Sequence, residues 1–321
     1  MQVKTLLGQW RQIPPAIWIV VLMCLIYGKV APGFFTLSNL TNVAMQAAPL
    51  LIVAVGVTTV ILTEGIDLSV GFIMGLVSVV VSLLLKAGLG IWWAMLGGLG
   101  AGFLCGLTNG VMVASVGLPP FIATLGVGSM AYGVGLVLTE GQSIQALDPV
   151  LLFLTNGSLA GVNMSIILAA AVFGICWLLM YETAFGRNVI SLGGNPEALR
   201  VVGVNTRRVS ILVYGVSGLL AAVAGLLVAS RTGSGYAAAA MGWDFDAIGA
   251  TIIGGTSFEE GKGGIGKTVL GVLLISILRN GLNVAGVHNM YQFALIGLVV
   301  LGTIVLDVRF RQTVEGGLKA Q

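Results

Sequence analysis

The chain has 321 residues, 57% of them hydrophobic and only 8% charged, with a net charge of +3 and a mean hydropathy of +1.04. Soluble domains carry about 25% charged residues, so a water-facing globular fold is excluded. A small surplus of scattered positive charge also excludes nucleic acid as a partner.

Three charge-free runs set the scale. No Asp, Glu, Lys or Arg occurs between Lys29 and Glu64, between Lys86 and Glu140, or between Asp148 and Glu182. A membrane helix needs about 20 apolar residues, so the second run holds two helices and the others one each. In chain order, membrane segments are predicted at about 14–30, 42–62, 68–85, 91–114, 120–138, 163–181, 209–229, 245–256, 266–284 and 289–306. The first begins at Pro14 with no small-residue cleavage pattern after it, so a retained helix is expected and not a signal peptide. Pro14-Pro15 fits a helix start, Pro119-Pro120 separates two apolar runs, and Asn156-Gly157 sits in a polar connection. The eighth segment is too short to span alone and reads as a half-helix. The expected fold is therefore all-α: one polytopic membrane domain over residues 1–321, with about ten segments, some broken. Inverted five-plus-five halves are compatible with that count.

Basic residues orient the segments. With the N-terminus inside, the inner side holds Lys4, Arg11, Arg187, Arg200, Arg207, Arg208, Lys262, Lys267, Arg309, Arg311 and Lys319. The outer side holds only Lys29, Lys86 and Arg231. This bias matches the positive-inside rule and requires an even number of crossings.

Polar interruptions carry the candidate chemistry. At Thr63-Glu64-Gly65-Ile66-Asp67-Leu68-Ser69, two carboxylates stand between apolar runs, and Asp67 or Ser69 is placed to cap the next helix. A broken helix that lines a polar path and a short inside loop are both open readings. Gly98, Gly102, Gly106 and Gly110 recur every four residues, which lets two backbones approach closely. A subunit interface and packing within one protomer are both open. The longest hydrophilic stretch, 182–208, holds a short helix at Glu197–Val202, started by Asn195-Pro196 and ended by Gly203. A second acidic break, Gly242-Trp243-Asp244-Phe245-Asp246, precedes the eighth segment. Asn280 and Asn283 lie in the ninth. Gly261 to Thr268 has the spacing of a phosphate-binding loop, but apolar membrane segments flank it and no strand precedes it, so it is read as a turn. The lone His288 lacks a metal-ligating partner and no paired-Asp motif occurs, so neither a metal site nor catalytic residues are expected. Cys24, Cys105 and Cys176 lie in apolar segments without CxxC spacing and read as packing residues.

The 182–208 stretch resembles the cytoplasmic coupling loop of ABC importer permeases, in which Glu-Ala-Ala is followed three residues later by Gly. Here it reads Glu197-Ala198-Leu199, then Gly203, with Leu in place of the second Ala. Further stretches resemble the ribose-type branch: Thr63 to Gly71, Phe121-Ile122-Ala123-Thr124-Leu125-Gly126, Leu192-Gly193-Gly194-Asn195, Phe245-Asp246-Ala247-Ile248 leading to Gly254-Gly255-Thr256-Ser257, and Asn280-Gly281-Leu282-Asn283. They run in family order over nearly the whole chain. Glu64 and the Phe258–Gly263 loop depart from the pattern.

The resemblance implies a permease subunit of the bacterial inner membrane, not an enzyme, that forms a pathway for a monosaccharide or small polyol. It implies three partner chains: a cytoplasmic ATP-binding subunit that holds ATP and Mg, a periplasmic or extracellular sugar-binding protein, and a second permease copy or a paralogue. Membrane lipid surrounds them. Gly194, Asn195, Glu197, Ala198, Arg200, Val202 and Gly203 would then couple to the ATPase. Thr63, Glu64, Asp67, Ser69, Thr124, Asp244, Asp246, Asn280 and Asn283 are pathway or gate candidates. The rival from residues alone is an ion-coupled carrier that uses Glu64, Asp67, Asp244 and Asp246.

Overall fold

The computed structural model describes residues 15–258, 261–288, 290–292, 294–303 and 305. The expectations placed on Lys4, Arg11, Glu259, Glu260, Arg309, Arg311 and Lys319 lie outside these residues.

The chain folds as helices: α1 (Pro15–Val30), α2 (Leu37–Ile61), α3 (Val70–Lys86), α4 (Ile91–Val111), α5 (Pro120–Thr139), α6 (Pro149–Asn156), α7 (Met164–Tyr181), α8 (Ala184–Gly194), α9 (Pro196–Val201), α10 (Thr206–Thr232), α11 (Trp243–Ile253) and α12 (Ile265–Val284). An apolar helix, Met290–Thr303, follows. Among the described residues, six helices are long and apolar enough to cross a membrane: α2, α4 with its extension, α5, α7, α10 and α12. The apolar helices Ala16–Val30, Val70–Lys86 and Met290–Thr303 are shorter, and α11 has only 11 residues.

Several predicted boundaries move. The segments placed at 42–62 and 209–229 extend to Leu37–Ile61 and Thr206–Thr232, because Thr36 and Asn205 cap them earlier than apolarity alone suggests. The connection at 139–163 is not simply a polar loop. Asp148 accepts from the N–H groups of Val150 and Leu151, and Pro149 takes the first helical position of α6. Two-residue strands qualify the all-α expectation: Ile144–Gln145 pairs antiparallel with Ser234–Gly235, and Ser158–Leu159 with Val162–Asn163.

Helices α2 and α10 form the centre. Of their most apolar windows 78% and 72% is buried, against 22% for α4 and α7. The outer helices thus present apolar side chains outward, and the exposed pair Trp92-Trp93 opens α4 as interfacial aromatics do. The glycine stripe of α4 faces α10 of the same chain. A Cβ at Gly102 would meet Ala222 and the Gly218 carbonyl, and one at Gly110 would meet the Ile211 backbone. Helix α4 then runs through a π-helical turn, Met112–Val116, to left-handed Gly117.

Polar pins tie the apolar bundle together. Thr58 Oγ1 lies 2.7 Å from Thr268 Oγ1 and 3.1 Å from Thr251 Oγ1, joining α2, α12 and α11. Asn39 and Asn280 exchange amide hydrogen bonds of 2.9 and 3.0 Å between α2 and α12. In an apolar surrounding such groups must find partners, and here they find each other.

Candidate coupling surface and membrane pathway

At one end of the bundle the chain turns back through Leu62–Glu64, α8, α9, the start of α10 and the 261–264 turn. This end carries Arg187, Arg200, Arg207, Arg208, Lys262 and Lys267. The 182–208 stretch holds more helix than its sequence suggested, because α8 precedes the short helix. Gly193 of α8 sits directly on the Leu62 carbonyl and leaves no room for a side chain.

Helix α9 is capped at both ends. Asn195 Oδ1 accepts from Ala198 N at 2.9 Å, and Pro196 takes the first position. At the other end Gly203 N donates to Arg200 O and Val204 N to Leu199 O, with Gly203 at φ 83°. That is a Schellman ending, whose left-handed residue favours glycine. Leu199 is buried and anchors the helix, while Ala198 is exposed, as are Val201 at 80% and Val202 at 72%. Glu197 and Arg200 form an exposed ion pair at 3.2 Å, worth little to stability. A cavity of about 810 Å3 separates α9 from the break after α2. Thr63, Glu64, Arg200, Arg207 and Ser210 contribute to its walls.

Beyond Glu64, which has a left-handed backbone, residues 65–69 are non-helical and pass into the bundle. Asp67 is wholly buried there. Its Oδ1 accepts from Ser69 N (3.0 Å) and Ser69 Oγ (2.6 Å), and its Oδ2 from Ser217 Oγ of α10 (2.8 Å). Asn109 Nδ2 of α4 donates to Ser69 Oγ at 2.7 Å, and Leu68 N donates to Thr124 Oγ1 of α5 at 3.2 Å. Ser69 occupies the N-cap position of α3 without a side-chain cap bond, because its hydroxyl is turned to Asp67. Ser217 is 11 residues into α10, roughly 16 Å along it at 1.5 Å per residue. The break therefore lies at membrane depth, where irregular backbone survives only inside protein or beside a cavity.

The second acidic break meets the first. The segment after α10 descends along α3: Tyr236 N donates to Ser78 Oγ at 3.1 Å, and Gly71 and Gly75 of α3 lie against the carbonyls of Ala240 and Ala237. Helix α11 then starts with Asp244 and Asp246 in its first turn. Asp244 is buried beside Gly71, whereas Asp246 is ion-paired to Arg279 of α12, whose guanidinium lies 6.0 Å from the centre of the Trp243 ring.

The predicted site residues thus fall into separate groups. Gly194, Asn195, Glu197, Ala198, Arg200, Val202 and Gly203 share one exposed end with Thr63 and Glu64. Asp67, Ser69 and Thr124 share one buried knot, apart from Glu64 at the exposed end. Asn280 binds Asn39, and Asn283 Oδ1 accepts from Gln292 Nε2 at 2.8 Å. Among the described residues no group of three or more His, Cys, Asp or Glu is arranged to hold a metal. Thr268, the hydroxyl of the phosphate-loop-like stretch, is buried on Thr58. The sequence missed Ser217, Asn109, Trp243 and Arg279. Only Arg279 carried a signal, as an ionisable residue inside an apolar segment.

The comparisons agree on kind. The family model for the branched-chain amino acid transport system / permease component matches residues 39–304. The probable ABC transporter permease protein YphD of Escherichia coli (strain K12) is 36% identical over 92% of this chain and 89% of its own. The ribose import permease protein RbsC of the same organism is 35% identical over 93% and 94%. The D-allose transport system permease protein AlsC, also of that strain, is 34% identical over 90% of each chain. No solved structure matches the chain.

Proposed function

The chain belongs to the branched-chain amino acid transport system / permease component family, and on that premise we propose that it forms the pathway of an ABC importer for a monosaccharide or similar small polyol. The sugar class is supported by the names of the ribose and allose relatives and by the ribose-type motifs. A separate cytoplasmic ATPase holds ATP and Mg and drives the cycle, a sugar-binding protein delivers the ligand, and a second permease copy completes the channel in the lipid of the bacterial inner membrane.

The observation that carries this reading is α9. A six-residue helix is too short to persist alone, yet this one is capped at both ends and anchored by Leu199, and it offers Ala198, Val201 and Val202 outward at the basic end. Basic residues mark the cytoplasmic side. Exposed apolar residues on a rigid perch there suit docking to a soluble motor. ATP binding by the motor then shifts the permease between inward- and outward-open states, by as much as the partners' differential affinity for the two.

Ten crossings follow if the shorter apolar helices also span. Non-helical 65–69 leads into α3 and non-helical 233–242 into α11, so each pair makes one broken crossing. The two run against each other, which supports inverted halves related through this contact. Two observations favour the importer over the ion-coupled carrier: Glu64 lies at the exposed end apart from Asp67, and Asp246 is neutralised by Arg279.

Ala198→Trp or Gly203→Val is expected to abolish uptake and the binding-protein stimulation of ATPase activity in the reconstituted complex. Ala198 is exposed, so added bulk there does not disturb the chain itself. Normal transport by both variants would refute the coupling assignment.

A further inference from the structure

The cavity of about 810 Å3 behind α9 has two unlike walls. One is polar. Thr206, Arg207 and Ser210 line it from the start of α10, where spacings of three and four residues share one helix face, and Arg200 of α9 adds a second guanidinium. Among the described residues Arg207 forms no ion pair. Arg200 pairs with Glu197 at 3.2 Å, and its Nε donates to Thr206 Oγ1 at 3.4 Å. A guanidinium has five N–H donors, however, and an exposed pair holds them only weakly. The other wall is apolar: Val113 and Ala114, from the π-helical turn that follows α4. Val116 of that turn is 59% exposed, and Phe121 and Ile122 of α5 are exposed as well, so the apolar wall continues into a surface of the lipid-facing kind.

Charge narrows the occupant. The charged side chains that line the cavity are Arg200, Arg207 and Glu64, a surplus of one positive charge. A single phosphodiester offsets that surplus, and a planar guanidinium matches phosphate oxygens with paired hydrogen bonds. Glu64, at the end of α2, limits the surplus to one and so disfavours a doubly charged phosphate monoester. A soluble phosphate would also leave the apolar wall uncovered, whereas a phospholipid carries apolar chains next to its phosphate. The place fits too, since this basic end of the bundle is the cytoplasmic one by the positive-inside rule, and anionic lipid heads attract basic residues there.

We propose that this cavity binds one anionic phospholipid of the inner leaflet, with Arg200 and Arg207 on its phosphodiester, the Thr206 and Ser210 hydroxyls beside them, and its apolar part against Val113 and Ala114. The lipid lies behind α9 and ties it to α4 and α10, leaving the exposed face of α9 clear. The site goes beyond the permease reading and does not depend on it.

The test titrates phosphatidylglycerol into the detergent-solubilised full chain and counts bound lipid by native mass spectrometry, with phosphatidylcholine and glycerol 3-phosphate as parallel arms. One phosphatidylglycerol per chain is expected to bind about fivefold or more tightly than phosphatidylcholine, and glycerol 3-phosphate is expected not to saturate. Arg207→Gln is expected to weaken that binding about tenfold or more, as for the loss of charge-assisted bonds to phosphate. Arg208→Gln, on the same helix but outside the cavity, is expected to weaken it by less than about threefold, as for an exposed charge. Ala114→Trp, which fills the apolar wall, is expected to abolish it. Should that variant fail to fold, the two arginine variants decide. Equal losses in Arg207→Gln and Arg208→Gln would show attraction by the basic surface alone and overturn the site. No preference for phosphatidylglycerol, or binding of glycerol 3-phosphate as tight as that of the lipid, would overturn it as well. The permease reading fails separately, if the reconstituted complex imports no sugar.

Discussion

Two acidic interruptions lie against each other inside this bundle, and they bury their carboxylates in different ways. Asp67 takes three hydrogen bonds from Ser69 and Ser217 and has no exposed surface. Asp246 relies on Arg279 at the edge of a cavity between α2, α10, α11 and α12. The first arrangement fixes a broken backbone between α4, α5 and α10. The second joins α11 to α12 by one ion pair at a cavity wall. Residue type alone therefore does not mark a role; the partners around each carboxylate do.

The sharpest break of that comparison is at Asp67. Asp67→Ala strands two hydroxyls and a backbone N–H, at a cost of about 3 kcal/mol or more. Little folded protein is expected by size-exclusion chromatography of the detergent-solubilised chain. Asp67→Asn keeps an acceptor for Ser69, and its amide can donate to Ser217, so folding and much of the uptake should survive. Equal stability of the Ala variant and wild type would remove the fastener role.

Helix α4 brings Asn109 to the same knot, and its seating can be tested within one helix. Gly106 lies on the Tyr214 carbonyl and Gly218, whereas Gly100 has open space around it. Gly106→Leu should lower the melting temperature through overpacking worth about 1–3 kcal/mol. Gly100→Leu should leave it nearly unchanged. Equal melting of the two variants would refute close packing of α4 on α10.

At the second break the expected effect falls on transport more than on folding. Asp246→Asn or Arg279→Gln alone leaves one charge unpaired and should reduce uptake about tenfold. The double variant should recover part of that loss, giving a measurable coupling energy. Strictly additive losses would show that the pair does not act as a unit.

Most of the helical plan was legible in the chain, because charge-free runs of membrane length and proline boundaries leave few alternatives. The α9 caps were legible too, since Asn195, Pro196 and Gly203 act on neighbours within a few residues. Helix α8 was hidden, because Gly186, Gly193 and Gly194 lower its helical propensity and only its seat on Leu62 explains it. The knot was half visible: Asp67 and Ser69 stand out, but Ser217 is 150 residues away and looks like any small residue on an apolar helix. Arg279 stood in plain sight, yet its partner follows only from the packing of α11 on α12.

The central claim is that this chain carries solute only when a motor acts on it through the α9 surface. The direct measurement is uptake of labelled D-ribose and D-allose into proteoliposomes holding the chain with its co-purified ATPase and binding protein, with no ion gradient. The account predicts accumulation of a sugar that requires ATP on the α9 side and disappears in Ala198→Trp. Accumulation by the chain alone, driven by a proton or sodium gradient and indifferent to ATP, would contradict it.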